Sequence, residues 1–150
     1  MKIFFLIIFI VIFNLLFSGC SAGLNVKESG DTNLRITDIQ SWLNLMPGGP
    51  GSFHISGKYQ FPKEFDEKEI FLNKIIILEQ DKEIYSLVAE LQFIGNSGNL
   101  LKEFTFNNVY QTKIDPILLQ NDTIDVQLIF DFKGQEFRKE FKSIPLNRAY

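Results

Sequence analysis

Few side chains in this sequence could do acid–base or nucleophilic chemistry, and they are not grouped along the chain. The 150 residues include one histidine, His54, and one cysteine, Cys20. A histidine acts as a base or as a metal ligand together with partners, yet no second histidine, neighbouring cysteine or serine in a nucleophile-elbow context accompanies it. Alternation with Phe53 and Ile55 places His54 on the outer face of a strand. We therefore expect no catalytic residue, no metal site and no cofactor, and a protein that is not an enzyme.

Two acidic stretches are the remaining candidates for cation binding or hydrolysis. Residues 63–69 hold four carboxylates and two lysines, and Asp122 and Asp125 stand at the start of a predicted strand. Paired carboxylates hydrolyse glycosides, and Asp-x-Asp-x-Asp-Gly loops bind calcium. The first stretch lacks that spacing and its lysines offset half of its charge, so we expect a solvated loop. A turn leading into a strand accounts for the second stretch.

A string rich in proline and glycine precedes His54 and is the most unusual local sequence in the chain. Glycine-rich loops that bind phosphate are followed directly by a lysine or by a helix N-terminus, whereas a predicted strand follows here. The composition favours a wide turn in which prolines restrict the backbone and glycines adopt positive φ. The alternative is a binding loop, whose contact surface would comprise Trp42, Met46, Pro47, Gly48, Gly49, Pro50, Gly51 and His54.

The first 19 residues differ sharply in composition from the rest of the sequence. Fifteen of them are apolar, and the only charge among them is on Lys2. The apolar run over residues 3–17 is shorter than the roughly 20 residues that a membrane-spanning helix needs. A charged start, a short apolar helix and then small residues are typical of a secretory signal peptide.

The residues that end this apolar segment indicate which kind of signal peptide it is. Leu16-Phe17-Ser18-Gly19-Cys20 resembles the lipobox of bacterial lipoproteins, with Phe17 where that family usually has leucine or another aliphatic residue. The resemblance implies that residues 1–19 are a signal peptide and that acylated Cys20 holds the protein on a lipid bilayer in the cell envelope. Ser21 is not aspartate, which by the same resemblance favours the outer membrane if the organism has one. Otherwise the expected location is the outer face of the cell membrane.

Two regions follow the segment that resembles a lipobox. Residues 20–33 are mostly small or polar and lack apolar periodicity, which predicts a flexible tether with an r.m.s. reach of roughly 20 Å. Residues 34–150 form the folded domain, where apolar and polar side chains alternate as in strands with one buried face. The clearest stretches are 53–61, 85–93 and 124–132. A single helical turn is expected where Asp115 can cap and Pro116 can take the first position.

About seven strands without a long helix predict an all-β domain, and an immunoglobulin-like antiparallel β-sandwich is the expected architecture. A small closed barrel is the alternative. The Cys-Trp-Cys pattern of antibody domains is missing from the sequence, so the resemblance is one of architecture. In the last strand, Lys139 lies between Phe137 and Phe141 on the inward face, a placement that protects an edge strand from pairing with other chains.

Composition and charge limit the classes of molecule that we expect this protein to bind. A net charge of −3 with scattered basic residues argues against nucleic acid, and a single cysteine excludes an internal disulfide. We expect a non-enzymatic binding or envelope-assembly module whose partner is an envelope protein. The alternative is a lipoprotein that binds a small molecule or a carbohydrate and stacks it on Trp42, Tyr59 or Tyr85.

Overall fold

The computed structural model describes residues 33–98, 100–109 and 111–150. The expected signal peptide, Cys20 and the tether up to residue 32 lie outside the described residues. Within the described ranges no helix is long and apolar enough to cross a membrane. The elements in chain order are β1 (Arg35–Asn44), β2 (Ser52–Pro62), β3 (Ile70–Glu79), β4 (Lys82–Ser97), β5 (Leu101–Asn108), β6 (Thr112–Lys113), the 3-10 helix η1 (Pro116–Leu119), β7 (Thr123–Phe132) and β8 (Gln135–Ala149).

Seven of these strands form a closed ring of hydrogen-bonded neighbours. The order around the ring is β1-β8-β7-β3-β4-β5-β2, and pairing of β2 with β1 closes it. Every pair in the ring is antiparallel except β1 with β8, which is parallel over residues 41–44 and 146–149. The two-residue β6 attaches to the first residues of β2. The all-β prediction is therefore confirmed.

The predicted immunoglobulin-like sandwich is not what the strand pairing gives, and the closed barrel is. A sandwich consists of two separate sheets packed face to face. Here β4, at 16 residues, pairs with β3 through its first half and with β5 through its second half. In the same way β1 pairs with β2 on one side and with β8 on the other. β1 and β4 therefore each join one half of the sheet to the other, and these two junctions close the ring.

The inward face of the barrel is the apolar face that the alternation predicts. Aromatic rings fill its centre, where Tyr59 packs against Phe104 and Phe130 at centroid distances of 5.3 Å. Gly57 lies in the same inward row of β2, and a Cβ there would collide with the carbonyl oxygen of Asp38 and lie 2.5 Å from the ring of Phe106. The absence of a side chain at residue 57 is what lets that ring and the neighbouring backbone pack.

Two hairpins of the barrel turn on residues with positive φ. The hairpin between β3 and β4 turns at Gln80 and Asp81, and the hairpin between β7 and β8 turns at Lys133 and Gly134. All four residues have positive φ, which is the requirement of a two-residue type I′ turn. The expected helical turn is η1: Asp115 caps it by accepting a hydrogen bond of 3.0 Å from the backbone N–H of Ile117.

Lys139 points inward as predicted, but the strand that carries it is not an edge. β8 lies between β7 and β1, and Lys139 is 5% exposed. Its Nζ donates a hydrogen bond of 2.8 Å to the carbonyl oxygen of Leu34. The side chain thus joins β8 to the start of β1, a stretch where the parallel backbone pairing of these strands has not begun.

Strand direction sorts the connections into two ends of the barrel. The tether end comprises Asn33, the 63–69 loop, the tip of the β4–β5 hairpin and the 133–134 turn. The far end comprises the 45–51 loop, the 80–81 turn, the connection from β5 to β7 and the C-terminal Tyr150. The chain therefore enters the barrel from the predicted tether at the end opposite to the proline- and glycine-rich loop.

Candidate functional site

The proline- and glycine-rich loop lies at the far end, between the last residue of β1 and the first of β2. Asn44 and Ser52 are register partners, so residues 45–51 bridge two adjacent strands. Residues 46–50 are exposed, and Met46 is 56% exposed. Gly48 has a φ of 107°, which only glycine adopts readily. The loop is an exposed wide turn, and its role in binding stays a prediction.

Two of the predicted flanking residues, Trp42 and His54, lie against each other on the outer face of the barrel. They are register partners in the β1–β2 pair, and their rings stack with a centroid distance of 5.2 Å and an interplanar angle of 9°. His54 Nε2 and the Ser52 hydroxyl share a hydrogen bond of 2.8 Å. Both side chains are half-buried. The two stacked rings form a flat aromatic surface at the base of the loop.

Two hydrogen bonds and one close packing contact hold the base of the loop. The N–H of Leu45 donates to the carbonyl oxygen of Ala149 at 2.7 Å, and the N–H of Met46 donates to Asn44 Oδ1 at 3.1 Å. Gly51 passes so close to Ile114 that a Cβ would lie 2.8 Å from Ile114 Cδ1. The loop therefore contacts both the C-terminal strand and the segment that leads to η1.

Asn108 fixes the far end from inside, and sequence reasoning did not single it out. Its Oδ1 accepts from the N–H of Ile55 at 3.0 Å, and its Nδ2 donates to the carbonyl oxygen of Phe53 at 3.2 Å. The same Nδ2 lies 3.1 Å from the Thr112 hydroxyl. The buried amide extends the contact between β5 and β2 beyond their last register pair, Ser56 with Asn107. An asparagine at the end of an alternating strand was the available signal.

Tyr85 anchors the segment before η1. Its hydroxyl donates to the carbonyl oxygen of Lys113 at 2.7 Å and accepts from the N–H of Asp115 at 2.6 Å. Burial raises the pKa of this phenol above its usual value, so the hydroxyl stays protonated at neutral pH. The ring stacks on Phe53 at 5.2 Å. Tyr85 therefore serves as a structural anchor at this end of the barrel.

Arg148 ties the other side of η1 to the C-terminal strand. Its guanidinium donates to the carbonyl oxygen of Asn121 at 2.8 Å and to that of Leu119 at 3.4 Å. It also forms an ion pair of 3.1 Å with Asp122. The loop, η1 and the C-terminus are thus connected to one another as one surface.

That surface exposes several large apolar side chains. We define the far-end patch as the exposed apolar residues of these three segments and of the connection that follows β5: Met46, Val109, Ile117, Leu119 and Tyr150. Clustered apolar exposure marks sites that bind another protein, a ligand or a membrane more often than scattered apolar residues do. The two loop prolines and Pro116 stiffen the backbone around the patch.

The acidic stretches do not converge on a common site. Asp122 pairs with Arg148, whereas Asp125 pairs with Lys142 at 2.8 Å and accepts from the N–H of Ser143. The 63–69 loop lies at the tether end, away from His54. Among the residues that the structure describes, no group of three or more histidine, cysteine, aspartate or glutamate side chains could hold a metal ion.

The aromatic residues proposed for stacking a ligand lie in different surroundings. Tyr59 is buried in the core, and burial raises its pKa well above the usual value. Tyr85 is committed to Phe53 and the η1 segment, and Trp42 stacks on His54. Comparison with protein-family models, with curated proteins and with solved structures finds no match to this chain.

Proposed function

We propose that this protein is a membrane-anchored bacterial lipoprotein, acylated at Cys20, whose barrel is a non-enzymatic binding or envelope-assembly module. The partner we expect is an envelope protein that contacts the far-end patch. The proposed location is the cell envelope: the outer membrane if the organism has one, otherwise the outer face of the cell membrane. The proposal combines the resemblance to a lipobox with the placement of the chain entry and the candidate loop at opposite ends of the barrel.

The observation that carries the proposal is the placement of the chain entry and the candidate loop at opposite ends. β1 runs from Arg35 at the tether end to Asn44 at the far end, about 30 Å of strand at roughly 3.3 Å per residue. A tether of roughly 20 Å reach would add to that distance. A barrel held through Cys20 would therefore present the proline- and glycine-rich loop away from the lipid, where a protein partner can reach it.

The side chains of the far end support binding more than catalysis. The polar groups there are occupied in holding the backbone: Asn108 spans β2, Tyr85 holds Asp115, and Arg148 holds the η1 segment. The exposed groups include apolar side chains and proline rings beside charged side chains such as Asp81 and Asp122. Apolar contact area around a stiff loop suits recognition of another protein.

The alternative of carbohydrate binding gains no support from the positions of its three aromatic residues. A sugar-binding platform requires exposed rings that face one concavity, and Tyr59 and Tyr85 are occupied by the core and by η1. Trp42 is the remaining candidate of the three. We therefore rank protein binding first.

We keep the immunoglobulin-like architecture as a proposal about connectivity. Individual strand neighbours, rather than the closed ring, support it: β1 lies between an antiparallel β2 and a parallel β8, and β3 lies beside β7. Amide exchange tests it: residues 82–88 and 89–97 of β4 opening as separate cooperative units would favour two sheets. A single unit would favour the barrel.

Anchoring is tested by replacing the proposed acylation site. In Cys20→Ser, we expect the mass increase from acyl chains to disappear, since the thioether needs the cysteine sulfur. The matched control is Ser21→Ala, which leaves the sulfur in place and keeps acylation. Mass spectrometry of the intact protein measures both. A wild-type protein without acyl mass would end the lipoprotein proposal.

Partner binding is tested by photocrosslinking at matched positions. A benzophenone amino acid at Met46 in the far-end patch is compared with one at Val88, which is at least as exposed but lies on the barrel wall. We expect one reproducible adduct of a single protein from position 46 and none from position 88. Failure to form an adduct at positions 46, 117 and 119 in intact cells would contradict the proposal.

A further inference from the structure

The tip of the β4–β5 hairpin exposes apolar side chains at the tether end. Leu100 is 77% exposed and Ile94 is 51% exposed. Phe93, whose ring packs on Phe104 at 5.2 Å, is 45% exposed. The paired residues of this hairpin extend to Ser97 and Leu101. Leu100 stands at the tip, and Ile94 and Phe93 lie three and four residues before the end of β4. Single exposed apolar residues are ordinary on a protein surface, whereas three in one half of a hairpin are unusual, and we call Phe93, Ile94 and Leu100 the hairpin patch.

This hairpin lies beside the point where the chain enters the barrel. Leu100 and Leu101 line one open cleft with Asn33, Arg35, Pro62 and Glu64. The backbone N–H of Lys63 donates to the carbonyl oxygen of Leu100 at 3.0 Å, which holds the hairpin against the end of β2. The hairpin tip and the last residue of the tether are therefore neighbours.

The chain outside the structure limits how far this end can move from an anchored Cys20. Residues 21–32 separate Cys20 from Asn33, and the tether predicted from the sequence has an r.m.s. reach of roughly 20 Å. Tethering at such a distance raises the effective concentration of the hairpin at the lipid surface, so a contact too weak to bind alone becomes populated.

The charges around the hairpin nearly balance. The 63–69 loop holds two more carboxylates than lysines, and two lysines from other segments approach it. Lys102 Nζ lies 4.0 Å from Glu67, and Lys133 Nζ lies 3.8 Å from Glu69. With this balance, burial of apolar side chains rather than attraction to anionic headgroups would drive contact with a bilayer.

We propose that Leu100 and Ile94, with Phe93 beside them, insert into the interface of the bilayer that holds Cys20. This contact orients the barrel with its tether end on the lipid and its far-end patch outward. The inference rests on the proposed acylation of Cys20, because the tether supplies the proximity. The occupant of the hairpin patch is thus a lipid surface.

The test compares tryptophans placed at the two ends of the full-length acylated protein. Trp42 is the only tryptophan, so Trp42→Phe gives a background in which Leu100→Trp reports on the hairpin and Met46→Trp reports on the far end. Both proteins are reconstituted into phosphatidylcholine vesicles whose acyl chains carry bromine below the headgroup. Bromine quenches an indole that it contacts. Ile94→Trp serves as a second hairpin position.

We expect bromine to quench a fraction of the hairpin fluorescence that is at least roughly threefold larger than the fraction quenched at position 46. High salt should change this difference little. Equal quenching at both ends, or none at positions 94 and 100, would overturn the inference. Acyl mass is measured before reconstitution, so either result in an acylated protein leaves the proposed function standing. A protein without acyl mass would remove the proposed function and this inference with it.

Discussion

The two ends of the barrel are held together by different interactions. At the far end, buried or half-buried hydrogen bonds from Asn108 and Tyr85 fix the segments that surround the candidate loop. At the tether end, a buried hydrogen bond from Lys139 to Leu34 lies at the chain entry, whereas the 63–69 loop is held by backbone hydrogen bonds, by the ring of Phe65 on Phe132 and by ion pairs of Lys102 and Lys133. Buried hydrogen bonds cost more to break than exposed ion pairs.

This difference indicates which segments of the barrel are held most rigidly. A surface that recognises one partner gains from a fixed geometry, because less conformational entropy is lost on binding. An end that follows a fluid lipid surface has no such requirement. The buried hydrogen bonds of Asn108 thus suit the proposal that the surface around the candidate loop recognises a partner.

The largest expected effect comes from the barrel centre, which supports both ends. We expect Gly57→Val to lower the free energy of unfolding by about 3 kcal/mol, because the new side chain must displace Phe106 and the backbone at Asp38. Gly49→Val is the matched control, since a Cβ at position 49 meets nothing within 4 Å. Urea denaturation measures both, and equal effects would contradict the packing argument.

The next effect isolates the far end. Asn108→Ala removes the amide that serves Ile55 and Phe53, and the loss of these buried bonds should lower the free energy of unfolding by about 2 to 3 kcal/mol. Its neighbour Asn107 bonds only to exposed Glu90 through its side chain, so Asn107→Ala should cost less than about 0.5 kcal/mol. Chemical denaturation that ranks the two variants together would refute the proposed role of Asn108.

Tyr85→Phe should act on the same end with a smaller magnitude. The ring still stacks on Phe53, but two hydrogen bonds are lost, which lowers the free energy of unfolding by about 1 to 2 kcal/mol. Amide exchange at Asp115 should speed up because its acceptor is gone. Tyr150→Phe, at an exposed position, is the control that should change neither quantity. Unchanged exchange at Asp115 in Tyr85→Phe would contradict the anchoring role.

The smallest effects come from exposed ion pairs at either end. Lys142 at the far end bonds to Asp125 and Asp81, which raises its pKa above the ordinary lysine value. Its contribution is therefore fully present below the ordinary lysine pKa and is lost only as the pH rises through the raised one. Lys142→Gln and Lys133→Gln should each cost less than about 1 kcal/mol. Stability measured from pH 6 to 9 should show a constant difference from wild type for Lys142→Gln; a larger loss from either variant would blur the contrast between the ends.

Local features of this fold were predictable because they depend on neighbouring residues. Period-two alternation identified the inward faces of β2 and β7, since a half-buried strand records its environment in every second residue. Positive φ in the 133–134 turn is a local requirement, which glycine at position 134 meets readily. The cap of η1 by Asp115 followed from the Asp-Pro pair.

Long-range features were not predictable on the same basis. Alternation shows which face of a strand is buried but not which strand lies beside it, so the barrel and the sandwich gave the same pattern. The bond from Lys139 to Leu34 and the reach of Asn108 across β2 depend on pairing between distant residues. The stack of Trp42 on His54 depends on the register that the intervening loop sets.

The parallel seam between β1 and β8 has a consequence for the order in which the domain forms. The Ser41 hydroxyl reaches Pro145, and Asn147 reaches Ser41, across more than 100 residues of sequence. Contacts of such separation form late and slow the folding of small domains. The ring therefore stays open until the last strand is available. For a chain held by its N-terminus at a membrane, as proposed, the barrel would close only after β8 has been delivered to the same compartment.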